Sequence, residues 1–200
     1  TAQGMRHTEA LQERLYREIV GRIKETDLSV PAREGKWEYF SRTAQGKDYP
    51  AFWRRPAGGG ADQLLLDQNV LAEGKAYLSI EQLDVSPDGR LLLYLQDTTA
   101  FRDYTLYVKD IASGTLVDSI TGAWSGTAWA DDGRTFFYLT ADSAKRGNAV
   151  WRHVVGRPRT GDVNVLRDDD VLHNVGVSRS LSGRYVFLGS EGFTSSEWHV

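Results

Sequence analysis

The sequence predicts an all-β fold made of repeated strand–turn–strand units, with one helix in front of them. The first observation is a pattern that occurs three times around a turn glycine, in Leu83–Tyr94, Thr127–Tyr138 and Val177–Leu188. The turn glycines Gly89, Gly133 and Gly183 lie 44 and 50 residues apart. Repeats of about 40–50 residues that each contain strands and a tight turn are typical of a β-propeller.

The distance from each turn glycine to an aromatic residue of the following strand is the second observation. It is 18 residues from Gly35 to Trp53, from Gly89 to Tyr107 and from Gly133 to Trp151, and 15 from Gly183 to Trp198. The chain therefore contains one degenerate and three clear copies of one unit. In each copy we expect a glycine with positive φ to close the hairpin. We expect the Leu, Phe and Tyr that follow it to pack between neighbouring blades.

The first segment has a different periodicity. Leu11, Leu15, Ile19 and Ile23 recur every four residues, which predicts an amphipathic helix from about Thr8 to Lys24. A lone helix of this length is marginal in water, so its apolar stripe needs a partner. We expect the stripe to pack on an edge of the sheet structure, and docking on a further domain is the alternative.

The rest of the chain alternates between short strands and turns. The predicted strands are Lys36–Arg42, Tyr49–Arg55, Gln63–Leu66, Tyr104–Ile111, Asn148–Val155 and Ser195–Val200. This organisation predicts a helix and linker over 1–34 and a partial β-propeller over 35–200. The last unit stops within a strand and a propeller needs at least about four complete blades. We therefore expect an incomplete ring of about four blade-like units, a piece of a longer protein with both ends trimmed.

Composition excludes several classes of partner. Hydrophobic residues make up 40% of the chain, and the net charge of -3 comes from interspersed acidic and basic residues. This pattern favours neither a nucleic-acid nor a membrane surface. No apolar run approaches the roughly 18 residues of a membrane span, and the first residues lack the shape of a signal peptide. We expect a soluble, cytoplasmic protein; the absence of Cys leaves the compartment undecided, so a periplasmic location stays open.

Neither a nucleophile motif nor a metal-ligand spacing is found in the sequence. No Gly-x-Ser-x-Gly window exists, and Ser125 only precedes Gly126. The four histidines do not form a metal-binding pair. They are His7, His153, His173 and His199. We expect His153 and His199 to have packing or edge roles on strands, and we predict no catalytic, cofactor or metal residue; the substrate-binding residues are undefined.

Three polar or flexible clusters have structural interpretations that we prefer. The acidic run Asp168–Asp170 lacks the glycine and distal Glu of a calcium loop, which favours a solvated turn. The pairs Arg54–Arg55 and Arg157–Arg159 have no interleaved aromatic residues for base stacking, which favours exposed loops. Gly58–Gly60 is followed by neither a Lys-Ser/Thr pair nor a helix, so it does not predict a phosphate loop.

The segment in front of the first clear repeat is similar to a known family. The similarity lies in Leu11–Ile19, Arg22–Asp27, Ser29–Pro31, Trp37–Arg42, Lys47–Pro50, Leu64–Asp67 and Asn69–Gly74. These stretches resemble the start of the propeller domain in prolyl oligopeptidase-like serine peptidases. Within that family they are most similar to the branch of oligopeptidase B (protease II), which cuts after Arg and Lys. With the repeats, the resemblance covers almost the whole chain.

The resemblance implies a seven-bladed propeller that caps a C-terminal α/β-hydrolase domain. That domain carries the Ser, Asp and His triad and is absent from this sequence, so no catalytic residue is assigned here. The propeller's implied role is that of a gate that admits short peptides and bars folded proteins. The implied partners are peptide substrates and the hydrolase domain, without a cofactor. Two alternatives remain, namely a stand-alone propeller that binds proteins or peptides and a periplasmic-type propeller partner.

Overall fold

The computed structural model describes residues 7–200 and is mostly β-structure. Two α-helices lie in the described residues, α1 over Glu9–Arg22 and α2 over Gln68–Ala72. The strands are β1 Ala32–Glu34, β2 Trp37–Arg42, β3 Ala51–Pro56, β4 Gln63–Asp67, β5 Ser79–Val85, β6 Leu91–Asp97, β7 Tyr104–Asp110, β8 Leu116–Trp129, β9 Thr135–Ala141, β10 Gly147–Val154, β11 Val163–Arg167, β12 Asn174–Arg179, β13 Val186–Glu191 and β14 Ser196–His199. The predicted all-β class with one long leading helix is confirmed.

The chain divides into two compact units, and the first ends at Leu71. Its β-structure is a four-stranded antiparallel sheet in the order β1-β2-β3-β4. Residues of the linker after α1 continue this sheet, because Leu28 forms a bridge with Arg42 and the amide of Ser29 donates to the carbonyl of Ser41. The predicted boundary between 34 and 35 stays a prediction.

Helix α1 forms where the spacing predicts it, but its apolar stripe is uncovered. No residue of the helix is buried, and Leu15 and Ile19 are 45% and 61% exposed. The pairs Glu13–Arg17 and Glu18–Arg22 stabilise it locally at i,i+4 spacing. The expectation that the stripe packs on a sheet edge is therefore wrong: the linker after the helix, and not the helix itself, pairs with β2.

The second unit, from Ala72 onward, contains two four-stranded antiparallel sheets that share one long strand. The first half of β8, Leu116–Ala123, pairs with β7, and its second half, Trp124–Trp129, pairs with β9. The order is therefore β5-β6-β7-β8 followed by β8-β9-β10-β11. Gly126, with a φ of 125°, lies just after the change of partner, where the β8–β9 register shifts between Trp124 and Thr127. Strands β12, β13 and β14 form a third sheet, and this serial arrangement is consistent with part of a propeller.

The predicted turn glycines close their hairpins in the same way. Gly89, Gly133 and Gly183 have φ values of 78°, 63° and 74°, in the left-handed region that glycine adopts without a steric penalty. Each glycine amide donates to the backbone carbonyl of the residue three places earlier. The amide of that earlier residue donates to the carbonyl of a residue at or next to the start of the following strand. The prediction of a positive φ at all three positions is confirmed.

The 18-residue spacing has a direct structural cause. In three units the residue five places after the glycine lies opposite the aromatic residue 18 places after it, as Phe40–Trp53, Tyr94–Tyr107 and Tyr138–Trp151. The last unit differs, because Trp198 lies opposite Gly189 and not opposite Leu188. The shorter β13–β14 connection shifts the register, and the Trp198 ring occupies the space that a side chain at 189 would need.

Apolar side chains fill the space between consecutive sheets of the second unit. One cluster joins the first two sheets and includes Leu93, Val108, Phe136 and Tyr138, all fully buried or nearly so. Another joins the second and third sheets through Leu139, Val150 and Val175. The expected packing of the residues after each turn glycine is confirmed for the first two repeats. In the third repeat Tyr185 remains half-exposed.

Replacing Gly133 by Ala tests the turn geometry. A Cβ at this position requires an unfavourable left-handed conformation and would lie 3.2 Å from the carboxyl carbon of Asp88. We expect the free energy of unfolding to fall by about 1–2 kcal/mol in urea denaturation. The control is Gly176→Ala, where φ is ordinary and no atom lies within 4 Å of the new Cβ. An equal loss in both variants would contradict the assignment of the effect to φ.

Candidate functional site

A buried histidine near the end of β10 is the centre of a polar cluster that joins β8, β9 and the β10–β11 connection. His153 Nδ1 lies 2.6 Å from Asp162 Oδ1, and His153 Nε2 lies 3.0 Å from Asp118 Oδ2. The hydroxyl of Tyr138 donates to the other oxygen of Asp162 at 2.8 Å. Burial and the neighbouring Asp162 carboxylate raise the pKa of Tyr138, so its hydroxyl keeps the proton that it donates.

The strand pattern explains why His153 points inward. Side chains alternate along β10, so His153 shares a face with Trp151, and its ring lies 5.0 Å from that of Phe136. Both ring nitrogens face carboxylates and the His153 side chain is fully buried, so it cannot reach a substrate. The expected packing role of this histidine is confirmed. The cluster holds the β10–β11 connection at two points. Asp162 contacts His153, and Asp118, which also contacts His153, accepts from the amide of Gly156 at 2.6 Å.

The fixed β10–β11 connection forms the candidate binding site, a cleft with a volume of about 380 Å³. It is lined by Arg152 and Arg157, by the apolar residues Val154 and Pro158, and by Asp162 of the His153 cluster. Within residues 7–200, neither of these arginines forms a salt bridge. Two arginines without a salt bridge among the described residues, next to apolar walls, suit an anionic group.

The neighbouring Arg159 has a different role in the same connection. Its guanidinium donates to the carbonyl of Thr121 at 2.6 Å, which attaches the short 3-10 turn Arg159–Gly161 to β8. A second cleft of about 400 Å³ is lined by Tyr138, Trp151, Arg159 and neighbours. The sequence predicted an exposed loop for Arg157–Arg159, and both arginines are exposed.

The other histidines lie in different parts of the fold. His7 is exposed just before α1, and His199, at the end of β14, lies 3.3 Å from Glu197. His173 lies in the β11–β12 connection and contacts Asp168 and Ser195. In the described part of the chain no group of His, Asp and Glu side chains could hold a metal ion.

The acidic run forms a turn between β11 and β12. Asp169 pairs with Arg167 at 2.9 Å, and the Asp170 carboxylate accepts from the amide of Leu172. The Asp168 carboxylate accepts from Ser190 and from the amide of Asp170. The three carboxylates thus bind separate partners, as the preferred interpretation of a turn predicts.

The structure corrects the interpretation of Arg54–Arg55. Both residues lie on β3 and not in an exposed loop, and Arg54 is buried. The Arg54 guanidinium lies 4.0 Å from the centre of the Trp37 ring, while Arg55 pairs with Glu38. The aromatic partners are on the adjacent strand β2, so a search along the sequence around residues 54 and 55 did not find them.

Gly58–Gly60 lies in an exposed loop between β3 and β4, as predicted, and Ser125 lies within β8 where its pairing changes.

Sequence reasoning missed the partners of His153 and His173. Asp118 is 35 residues from His153, and Ser195 is 22 residues from His173. No local spacing signals such contacts, because the sheet pairing creates them.

The second unit consists of consecutive antiparallel sheets joined in series, and the same glycine turn closes a hairpin in each of them. This arrangement defines a domain of the β-propeller class. The family model described as prolyl oligopeptidase, N-terminal β-propeller domain, matches residues 1–200. The chain belongs to this family, and the resemblance found in its sequence is confirmed.

Individual relatives agree with this assignment. The chain is 38% identical to dipeptidyl aminopeptidase BI of Pseudoxanthomonas mexicana, over 94% of the chain and 28% of that protein. It is 30% identical to protease 2 of Moraxella lacunata, over 98% of the chain and 30% of that protein. The structure of oligopeptidase B from Leishmania major is similar over 98% of this chain and 28% of the Leishmania chain, with a TM-score of 0.92 and 27% identity.

The chain thus spans less than a third of the length of these relatives. Among residues 7–200, no helix has the length and apolar character needed to cross a membrane.

Removing the Asp162 carboxylate tests the cluster around His153. In Asp162→Ala, the buried His153 Nδ1 and Tyr138 hydroxyl both lose their partner. We expect the free energy of unfolding to fall by about 1–3 kcal/mol for each group left unpaired. We also expect faster proteolysis between residues 156 and 162, measured by mass spectrometry of a limited digest.

Asp169→Ala is the matched control, because that carboxylate pairs with Arg167 on the exposed surface. Exposed pairs contribute about 0–1 kcal/mol, so this variant should unfold almost like the wild type. Similar losses in the two variants would show that the buried cluster does not fix the connection.

Proposed function

We propose that this chain is the non-catalytic propeller part of a serine-type oligopeptidase that hydrolyses short peptides after Arg or Lys. The match to oligopeptidase B from Leishmania major over 98% of the chain is the observation that carries this proposal. A second structure, oligopeptidase B from Trypanosoma brucei with covalently bound antipain, has a TM-score of 0.88 and 32% identity. The proposed location is the cytoplasm.

The reaction itself belongs to a C-terminal α/β-hydrolase domain of the same polypeptide. There an activated Ser attacks the peptide carbonyl, and a His acts as general base. None of the residues described here is assigned to that triad. The residues of this chain instead shape the approach to it.

The proposed role of this chain is that of a size-selective gate. It contributes about four units of a seven-bladed ring, which admits short peptides and bars folded proteins. The serial sheets joined through β8 support this role, because such a chain of sheets encloses a central space when it closes. The Trypanosoma brucei enzyme is described in a closed form, which is consistent with a gate that opens for substrate.

The nature of the relatives favours a second candidate function. One relative with 38% identity is named a dipeptidyl aminopeptidase. An enzyme of that kind releases dipeptides from a free amino end, whereas an oligopeptidase cuts within a peptide. The two candidates therefore differ in whether the substrate needs a free α-amino group.

The deciding assay uses the product of the full reading frame and a pair of fluorogenic peptides that differ only at the amino end. One substrate carries a blocked amino group before an Arg–fluorophore bond, and the other is the free dipeptide with the same bond. We expect cleavage of the blocked peptide, inhibition by a serine-directed reagent, and no cleavage by residues 1–200 alone. The same peptides with Lys, Pro or Ala before the fluorophore measure the preference for Arg and Lys.

Cleavage of the free dipeptide alone would replace the oligopeptidase proposal by the dipeptidyl aminopeptidase. Cleavage of neither peptide by a chain that contains no hydrolase domain would favour a stand-alone binding propeller. The gate is tested separately, with one Arg-containing sequence presented as an octapeptide and within a loop of a folded protein. Equal rates for these two substrates would exclude size selection.

The exposed stripe of α1 supports a docking role within the same proposal. Leu11, Leu15 and Ile19 lie on one face of α1, Ile23 follows directly after the helix, and each of the four is more than 40% exposed. The proposed partner of this face is the hydrolase domain, since the chain covers only 28% of its structural relatives and a further domain is available to cover it.

The double variant Leu15→Asp/Ile19→Asp tests this docking in the full-length protein. Burial of one such side chain contributes about 1.5–3 kcal/mol, so losing two should weaken docking at least about 100-fold. We expect hydrogen exchange of residues 9–22 to become faster than in the wild type. Ala10→Asp is the control, because Ala10 lies on the opposite side of the helix; an unchanged exchange rate in the double variant would contradict the docking.

A further inference from the structure

A second histidine cluster, on the side of the sheets where β11 leads into β12, has a geometry different from that around His153. His173 Nδ1 lies 2.9 Å from Asp168 Oδ2, and His173 Nε2 lies 3.1 Å from the hydroxyl oxygen of Ser195. Ser195 is exposed in the turn between β13 and β14, and His173 is only partly buried. A hydroxyl, an imidazole and a carboxylate are thus connected in series at hydrogen-bonding distances.

The hydrogen bonds determine the tautomer of this histidine. Donors from Ser190, His173 and the amide of Asp170 lower the pKa of Asp168 to about 2, so its carboxylate is ionised and can only accept. The His173 Nδ1 that faces it therefore carries the proton. Nε2 is left with its lone pair, and the Ser195 hydroxyl donates to it.

The surroundings hold the imidazole in this orientation. The Arg146 guanidinium donates to the carbonyls of Asp170 and His173, at 2.7 and 2.6 Å, and its Nε lies 3.0 Å from Asp142. On the other side, Gly192 leaves room for the ring, because a Cβ at 192 would overlap with His173 Cδ2. The β11–β12 connection and the β13–β14 turn are thereby brought together at the Ser195–His173 contact.

We propose that Ser195 is an activated nucleophile, with His173 as its general base and Asp168 as the group that orients the base, and that it is covalently modified by activated acyl and phosphonyl compounds. With a fluorophosphonate, Ser195 Oγ forms a bond to phosphorus and the phosphorus–fluorine bond breaks. Fluoride leaves, and the hydroxyl proton passes to His173 Nε2 and then to solvent. This proposal does not depend on the proposed function.

Labelling of the full-length protein with a fluorophosphonate, followed by peptide mapping, tests the proposal. Trypsin cleaves after Arg184, so fragmentation of the peptide that begins at Tyr185 separates Ser190, Ser195 and Ser196 from any serine of another domain. We expect a phosphonyl group on Ser195 in the wild type and none at this position in Ser195→Ala. In the control Ser196→Ala, which removes the adjacent exposed hydroxyl, the labelling rate at Ser195 should not change.

His173→Gln separates the chemical role from a structural one. Glutamine can still bridge Asp168 and Ser195 by hydrogen bonds, but it cannot take up a proton. General-base assistance contributes about 10²–10⁴-fold, so the labelling rate at Ser195 should fall at least 100-fold. Circular dichroism and the thermal unfolding midpoint verify that the variant is folded.

Asp168→Asn is the second variant. We expect a lower labelling rate at Ser195, because an amide at position 168 no longer selects the His173 tautomer with its proton on Nδ1. Equal labelling of Ser195 in the wild type and in a folded His173→Gln variant would overturn the proposal. So would the absence of label on Ser195 under conditions that modify another serine of the same protein.

Discussion

The second unit depends on one constraint: the two halves of β8 are hydrogen-bonded to two different strands. Leu116–Ala123 completes one sheet against β7, and Trp124–Trp129 begins the next against β9. Since one continuous strand belongs to both sheets, the position of one sheet determines where the next begins. The buried side chains of Val108, Phe136 and Tyr138 can then meet between the sheets and stabilise their arrangement.

Polar side chains complete these junctions, and two histidines illustrate how neighbours decide what a side chain can do. His153 is fully buried between Asp118 and Asp162, so both its nitrogens are engaged and it supports a cleft without entering it. His173 faces one carboxylate and one exposed hydroxyl, so one of its nitrogens remains available as a base. The same residue type thus has a structural role in one connection and a chemically competent arrangement in another.

Much of the fold could be predicted from local sequence signals. The glycine turns, most strand positions and helix α1 depend on conformational preferences and periodicities within a few residues. Predictions that depended on distant neighbours were less successful. The stripe of α1 is uncovered, and Arg54 is buried against Trp37 instead of lying in an exposed loop. Of the candidate cleft, the exposure of Arg157 was predicted, but neither the position of Arg152 nor the cluster that fixes the cleft was.

The sequence by itself determined the repeated unit, the positions of its turns and, through its similarity to known propeller domains, the family. These follow from short-range physics: a glycine that accepts a positive φ, alternating side chains in strands and a helical apolar period. Only the tertiary structure decided which side chains meet, as Asp162 meets His153 and Ser195 meets His173. Strand pairing and the connections between sheets bring together residues far apart in the chain, and no local pattern encodes the distance between two such atoms.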